Sequence, residues 1–490
     1  MQHYAARRPG RFHVPGHSGG AGAPPALAHA LGGALALDVP SGIEGIDLGR
    51  DETPLQRAER LAAATWGARR TWFLVNGASE ASLALCLALG QQHGSVVVQR
   101  NVHTSTIHGL VLGGLRPVFV MPGKDDDLGV AHCVAPTDLA ATLDRTPDAR
   151  AVVVVSPTYF GAAADVRGLA DVCHERGVAL IVDEAWGAHF GFRDDLPQDA
   201  LSARADVVFS GTHKLIGSLT QSAMLHLGHD APTTLDEAAL TRALSLIRTT
   251  SPSSLLLASL DAARARMDAE GTHLAGRALE QMRTLKRRIR DECRLAVLGD
   301  ELVGAHGVAA YDPLRLVIDV GPAGLEGHAV ARDLLALADI NLELVTGRLL
   351  IAHVGIGQPL ASPGQRLVEG LQAALRNAPP ALPARRPSAA TVHFGDPVMP
   401  PRDAFFAGHD VVALREAAGR ISADSIAVYP PGIANVLPGE RFTAALVEHL
   451  LAMCRRGYPL RGTWDEQAQT VRVVREAPEP VTATTPKHAS

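Results

Sequence analysis

Val182-Asp183-Glu184-Ala185-Trp186-Gly187-Ala188-His189 closes one short apolar run, residues 179–182, and Ser210-Gly211-Thr212-His213-Lys214 closes another, residues 206–209. Neither run alternates apolar with polar, so each reads as a strand buried on both faces. Each then delivers polar groups at the C-terminal end of a buried strand, where ligands bind in open α/β sheets. An aspartate at one strand end and a lysine at the next are the core of the reading.

Outward from these two stretches the pattern repeats. Short apolar runs at residues 71–75, 95–98, 117–120 and 151–155 read as strands, and 55–66, 78–90, 137–143 and 166–176 read as helices. Buried strands alternating with helices predict an α/β fold with a mostly parallel sheet covered on both faces. Residues 1–54, rich in Gly and Pro, read as an extended arm with turns. After Leu215 the chain turns helical, at 236–248 and from 254 to 282 and beyond, and leads to a smaller α/β region with strands at 295–298, 314–320 and 349–354. Four prolines without periodicity mark a linker at 377–388. The expected division is an arm (1–54), a large domain (55–262), a connecting helix with a small α/β domain (263–376), the linker, and a C-terminal domain (389–490) with a helix at 443–455 and a frayed end from Ala477.

Composition excludes other classes. The chain has 490 residues and a formal net charge of −5, which gives no reason to expect nucleic acid or an anionic membrane as partner. No apolar run approaches the roughly 20 residues of a membrane span. Met1-Gln2-His3-Tyr4 lacks the apolar stretch of a signal peptide, so a cytoplasmic location is expected. Cys86, Cys133, Cys173, Cys293 and Cys454 are scattered, which reads as reduced thiols and no metal site. Of 46 Lys plus Arg, only four are lysine. Arginine cannot lose its proton or form a Schiff base, so each retained lysine asks for a reason. Lys124 lies in a turn, Lys286 in a basic helical stretch and Lys487 in the tail, and all three read as solvated. Lys214 alone follows a strand.

A third stretch, Asn76-Gly77-Ala78-Ser79-Glu80, is a turn feeding a helix, whose free N–H groups and positive dipole end suit a phosphate. A phosphate site, a carboxylate and an amine together call for a phosphorylated cofactor with a carbonyl and a basic ring nitrogen. Pyridoxal 5'-phosphate meets each demand. Lys214 is then expected to form the internal aldimine, and Asp183 to pair with the pyridinium nitrogen. Ser79 and the backbone of Ala78, Ser79 and Glu80 are expected to hold the phosphate, and His103 to stack on the ring. Ala185, Trp186, Ser210 and Thr212 flank these groups and complete the cofactor-binding set. Singly, each residue has a plainer explanation as a cap, a turn residue or a solvated charge. Their order and spacing in a chain almost without lysine favour the cofactor.

With these motifs quoted, the sequence resembles the Orn/Lys/Arg decarboxylases, pyridoxal-phosphate enzymes of the aspartate-aminotransferase fold (fold type I). Phe12-His13-Val14-Pro15-Gly16-His17, Phe73-Leu74-Val75-Asn76-Gly77, Arg100-Asn101-Val102-His103, Ser156-Pro157-Thr158-Tyr159-Phe160-Gly161, Thr220-Gln221, Thr250-Ser251-Pro252, Tyr429-Pro430-Pro431-Gly432-Ile433 and Pro438-Gly439-Glu440 follow the family's order over most of the chain. The resemblance implies a homodimer or higher homo-oligomer with shared active sites, in which Thr250 reaches the phosphate of a neighbouring protomer. It also implies that Trp186 donates its indole N–H to the cofactor's phenolic oxygen. The implied reaction is decarboxylation of arginine, lysine or ornithine to its amine through an external aldimine and a quinonoid, with Lys214 or His213 returning the proton. Glu184, Asp424 and Glu440 are candidate partners for the cationic end of that substrate. Transamination, oxidative deamination or a lyase reaction on a related amino acid would use the same skeleton.

The sequence departs from the family pattern at Ser18 and Thr104, where lysine is usual, and at Ala78-Ser79, Gly211, Ser253-Ser254 and Ala434. The two missing lysines follow the chain-wide bias. The other changes leave the substrate open.

Overall fold

Seven strands form the central sheet: β1 (Arg70–Leu74), β2 (Ser95–Gln99), β3 (Arg116–Val120), β4 (Ala149–Val155), β5 (Ala179–Asp183), β6 (Val207–Ser210) and β7 (Ala223–Leu227), in the order β1-β7-β6-β5-β4-β2-β3. All run parallel except β7, which is antiparallel to both β1 and β6. This is the mostly parallel α/β sheet expected from the buried apolar runs. In β4, Ala151, Val152, Val153 and Val154 are all buried, and each buried aliphatic side chain contributes about 1.5–3 kcal/mol for Val or larger.

The computed structural model describes residues 1–43, 48–49, 51–90, 94–232, 235–377, 393–428, 433–455, 458–465 and 469–476. Residues 378–388 of the expected linker, the Tyr429-Pro430-Pro431-Gly432 stretch, Lys487 and the expected frayed end lie outside the described residues. Two compact units result, Met1–Val392 and His393–Ser490.

Local signals explain the helices that flank the sheet. The helix Pro54–Trp66 starts at a capping box, in which Thr53 Oγ1 accepts from the Gln56 N–H at 3.2 Å and Gln56 Oε1 accepts from the Thr53 N–H at 2.9 Å. It ends at Gly67 in the left-handed region, φ 67°. A 40-residue helix, Ser254–Cys293, starts under the Ser253 cap and leads to a four-stranded sheet that includes Leu316–Asp319 and Leu349–Ala352.

Two expectations need correction. The region after Leu215 does not turn helical at once: β7 intervenes, its alternation hidden because all five of its residues are buried. The arm is not merely extended, since it carries the helices Gln2–Ala6 and Pro25–Leu31. Both are too short for a periodic signal to stand out. The second unit has its own core, built from Leu414, Ile426, Val436, Phe442, Leu446, Leu450, Val471 and Val473. No helix among the described residues is long and apolar enough to cross a membrane.

Candidate active site

Asp183 is the last residue of β5, and Lys214 lies just past the C-terminal end of the neighbouring parallel strand β6. Backbone bonds set their separation. The Ala185 N–H donates to Asp183 Oδ1 at 3.0 Å, the Ala185 carbonyl accepts from Gly211 N–H at 3.2 Å, and Lys214 N–H donates to the Gly211 carbonyl at 3.0 Å. A side chain at Gly211 would crowd this junction: a Cβ there would sit 2.9 Å from the Ala185 oxygen and 3.2 Å from Lys214 Cδ and Cε. The glycine at this position therefore matches a close backbone approach.

The electrostatics follow from burial. Asp183 is buried, which raises its pKa, opposed by the Lys214 charge and the Ala185 N–H. Burial lowers the Lys214 amine to about 8, against the pull of Asp183 and with the push of Arg315. The amine lies 4.2 Å from the centre of the Trp186 ring. Trp186 is packed between Tyr159, at 5.3 Å between ring centres, and His353, at 5.5 Å.

The turn at residues 76–80 is shaped by a carboxylate. Glu80 Oε2 accepts from the Val75 and Asn76 N–H groups at 3.2 and 3.0 Å, and Arg248 Nε donates to Oε1 at 3.1 Å. The side chain of Glu80 thus faces the loop behind the helix start, while Ala78 and Ser79 remain half-buried at its first turn. Gly77 supplies φ 70° for the entry.

His103 caps the next helix, with Nδ1 accepting from the Ser105 N–H at 3.2 Å, so the neutral ring carries its proton on Nε2. Part of the ring is exposed, yet burial of the rest, with Lys214 beside it, lowers its pKa to about 4. His213 Nδ1 donates to the Ser222 carbonyl at 2.7 Å, which leaves Nε2 as the acceptor. Burial lowers the pKa of His213 too. The Ser210 hydroxyl contacts His226 Nε2 at 3.5 Å, and Thr212 Oγ1 accepts from Ser218 at 2.8 Å. Thr250 is exposed.

Lys286 reverses the reading of it as solvated. It is 8% exposed, its amine lies 5.4 Å from the centre of the Tyr311 ring, and burial lowers its pKa to about 8. Its neighbours in sequence are basic, but its face of the long helix points inward. Among the described residues Lys214 and Lys286 both have amines lowered by desolvation, and proximity to Asp183 distinguishes Lys214.

The candidate partners for a substrate cation are engaged elsewhere. Glu184 is buried, accepts from the Ala200 N–H at 2.9 Å, and has its pKa pushed well up by burial, with Asp199 adding to the effect. Asp424 and Glu440 belong to the second unit, where Asp424 accepts from Arg472 Nη2 at 2.8 Å and Glu440 from the Leu437 N–H at 2.9 Å. Two residues near Lys214 went unnoticed in the sequence. Glu343 is exposed, pairs with His353 Nδ1 at 3.4 Å and acts electrostatically on Lys214. Arg315 is 1% exposed, with its guanidinium carbon 4.4 Å from the centre of the Trp186 ring. In a chain where arginine fills nearly every basic role, neither position carried a distinguishing signal.

A sequence profile for the major domain of Orn/Lys/Arg decarboxylase matches residues 1–310. The chain belongs to the Orn/Lys/Arg decarboxylase family. A second profile, for the C-terminal domain of Orn/Lys/Arg decarboxylase, matches residues 385–463. An arginine decarboxylase of Bacillus subtilis (strain 168) is 35% identical over 481 residues, covering 97% of this chain and 97% of the relative. Lysine decarboxylase A from Pseudomonas aeruginosa has the same fold, with a TM-score of 0.81 at 21% identity over 97% of this chain and 79% of that one. An SPT structure with PLP as the internal aldimine shares the fold more distantly, with a TM-score of 0.50 at 16% identity over 68% of this chain and 79% of that one. The resemblance carried by the ordered motifs, the fold type I class and the amino-acid decarboxylase class are thereby borne out for this Orn/Lys/Arg decarboxylase.

Proposed function

We propose that this decarboxylase removes the α-carboxyl group of a basic L-amino acid, with arginine as the leading substrate, and that pyridoxal 5'-phosphate is its cofactor. The observation that carries the reading is the electrostatic coupling of the Lys214 amine to the buried Asp183 carboxylate, spaced by hydrogen bonds through Ala185. Arginine leads because the full-length relative at 35% identity is an arginine decarboxylase.

The donor set fits the cofactor. When bound, pyridoxal phosphate supplies an aldehyde that condenses with amines and a ring that accepts the electron pair of a bond breaking at the α-carbon. Lys214, with its pKa near 8, offers a usable fraction of neutral amine at neutral pH. Asp183, costly to ionise while buried alone, would recover its charge by holding a proton at a ring nitrogen. The N–H groups of Ala78, Ser79 and Glu80 would hold the phosphate at the helix start. His103 would cover the ring, and Trp186 would donate its indole N–H beside the Lys214 amine. Ser210 and Thr212 support the Lys214 turn through Ser218 and His226. Lys214 or His213, whose Nε2 is free of the Ser222 contact, would return the proton to the α-carbon.

The same reading includes a homodimer or higher homo-oligomer in which exposed Thr250 reaches the phosphate site of a second protomer, and a cytoplasmic location. The location is supported by five cysteines that are all free thiols.

Product analysis tests the function. Protein loaded with pyridoxal phosphate is incubated separately with arginine, lysine and ornithine, and the products are read by mass spectrometry. Release of an amine and CO2 supports the reading and names the substrate. A keto acid, or ammonia with oxygen consumption, would replace decarboxylation by the alternative chemistries.

A further inference from the structure

Arg315 is fully buried, and none of its Nε, Nη1 and Nη2 atoms has a hydrogen-bond partner among the described residues. Buried guanidinium groups are normally paired, because leaving several donors unfilled away from water is costly. The carboxylates near it make no hydrogen bond to it: Asp312 Oδ1 contacts His189 Nε2 at 3.2 Å and accepts from the Leu314 N–H at 2.9 Å, its buried Oδ2 has no hydrogen-bond partner among the described residues, and Glu343 pairs with His353.

The fold builds this position rather than tolerating it. Arg315 N–H donates to the Asp312 carbonyl at 3.0 Å, which fixes the start of the strand Leu316–Asp319. Its stem runs against Gly161, where a Cβ would lie 2.8 Å from Arg315 Cβ and 2.9 Å from Cγ. The guanidinium then lies over Trp186, the indole that also carries the Lys214 amine.

We infer that Arg315 receives the α-carboxylate of the amino-acid substrate. The inference rests on the proposed decarboxylase reading and deepens it. An amino acid that takes over the attachment held by Lys214 does so through its α-nitrogen, and its carboxylate lies only two bonds from that atom. The anion therefore arrives beside the indole that carries the unfilled guanidinium. A planar fork of N–H donors fits a carboxylate in two-point contact, and the stack on Trp186 fixes the plane of the fork. Such a contact orients the bond to be broken, and the amine product, which lacks the carboxylate, loses it.

Rapid-mixing absorbance of the cofactor-loaded protein tests this with L-arginine and with its decarboxylation product agmatine. In Arg315→Met, half-saturation by arginine should rise about 10- to 100-fold, the loss of a charge-assisted contact, while that of agmatine changes far less. The ligand-free loaded protein should keep an imine absorbance band and the wild-type secondary structure by circular dichroism, which a general structural collapse would not allow. Equal weakening of both ligands, or no weakening for arginine, overturns the inference. Where Arg315→Met does not fold, Arg315→Lys serves: it should weaken arginine more than agmatine, and equal effects again overturn the inference. Amine release by wild type with no arginine-selective loss in the variants sinks only the assignment of Arg315. Failure of wild type to bind any of the three basic amino acids sinks the function and the assignment with it.

Discussion

The Lys214 amine lies 4.2 Å from the centre of the Trp186 ring. That contact favours the ammonium by about 1–2 kcal/mol, and Asp183 favours it as well. Burial outweighs both and, with Arg315 adding repulsion, brings the amine to about 8. Because neutral amine is the reactive form, the rate at which cofactor-free protein captures pyridoxal phosphate should climb with pH to a midpoint near 8 and then level off. Stopped-flow absorbance of the imine measures it. A midpoint near the ordinary lysine value would refute the dominance of burial.

Borohydride reduction of the loaded protein should fix the cofactor on Lys214, identified by peptide mass spectrometry. Lys286 is the internal control, since it is buried with a comparably lowered pKa but lies beside Asp312 instead of Asp183. Lys214→Ala should abolish the imine absorbance. A labelled Lys286 or Lys124 would show the assignment to be wrong.

Asp183→Ala should leave some cofactor bound through the phosphate turn but lower kcat by about 100- to 1000-fold, the usual size of losing one fixed electrostatic partner. Near-normal turnover would mean that the ring nitrogen has another partner.

Acid should destabilise the fold through two buried histidines. Burial lowers His132 to about 4 and His226 to about 3, well under the unfolded value near 6.5. Between those limits the unfolded chain binds protons that the folded chain does not. Stability is therefore intact above pH 6.5 and falls as the pH drops towards 4, by about 2 kcal/mol per histidine at pH 5. Urea midpoints at pH 7 and pH 5 give the loss, and His132→Asn should shrink it. An unchanged slope in that variant would remove His132 from the account.

Gly211→Ala places a Cβ 2.9 Å from the Ala185 oxygen. Overpacking of this kind costs about 1–3 kcal/mol. A lower thermal midpoint and an altered imine absorbance should appear together, because the displaced bond is one that spaces Asp183 from Lys214.

The sheet was legible because its strands are continuous apolar runs with polar residues at their C-terminal ends. The placement of Asp183 and Lys214 at strand ends followed from that pattern, and that of His103, Ala78 and Ser79 at helix starts from the same strand-to-helix logic. β7 was not legible, since its direction is set by pairing with β1 and β6 and not by its own residues. Arg315 and Glu343 come from the smaller sheet, and only tertiary folding brings them to Trp186 and Lys214. Lys286 was misread because charge counted along a helix does not reveal which face the helix buries.

The scarcity and placement of lysine have a practical consequence. Lys214 and Lys286 have enclosed amines and Lys124 is half-buried, so among the lysines of the described residues amine-directed cross-linkers, surface coupling and isotopic amine tags have little to grip. Acquisition of such a tag by Lys286 would report opening of the protein interior. The same signal at Lys214 would also report that no cofactor occupies the amine, so one labelling experiment could read folding and loading on separate peptides.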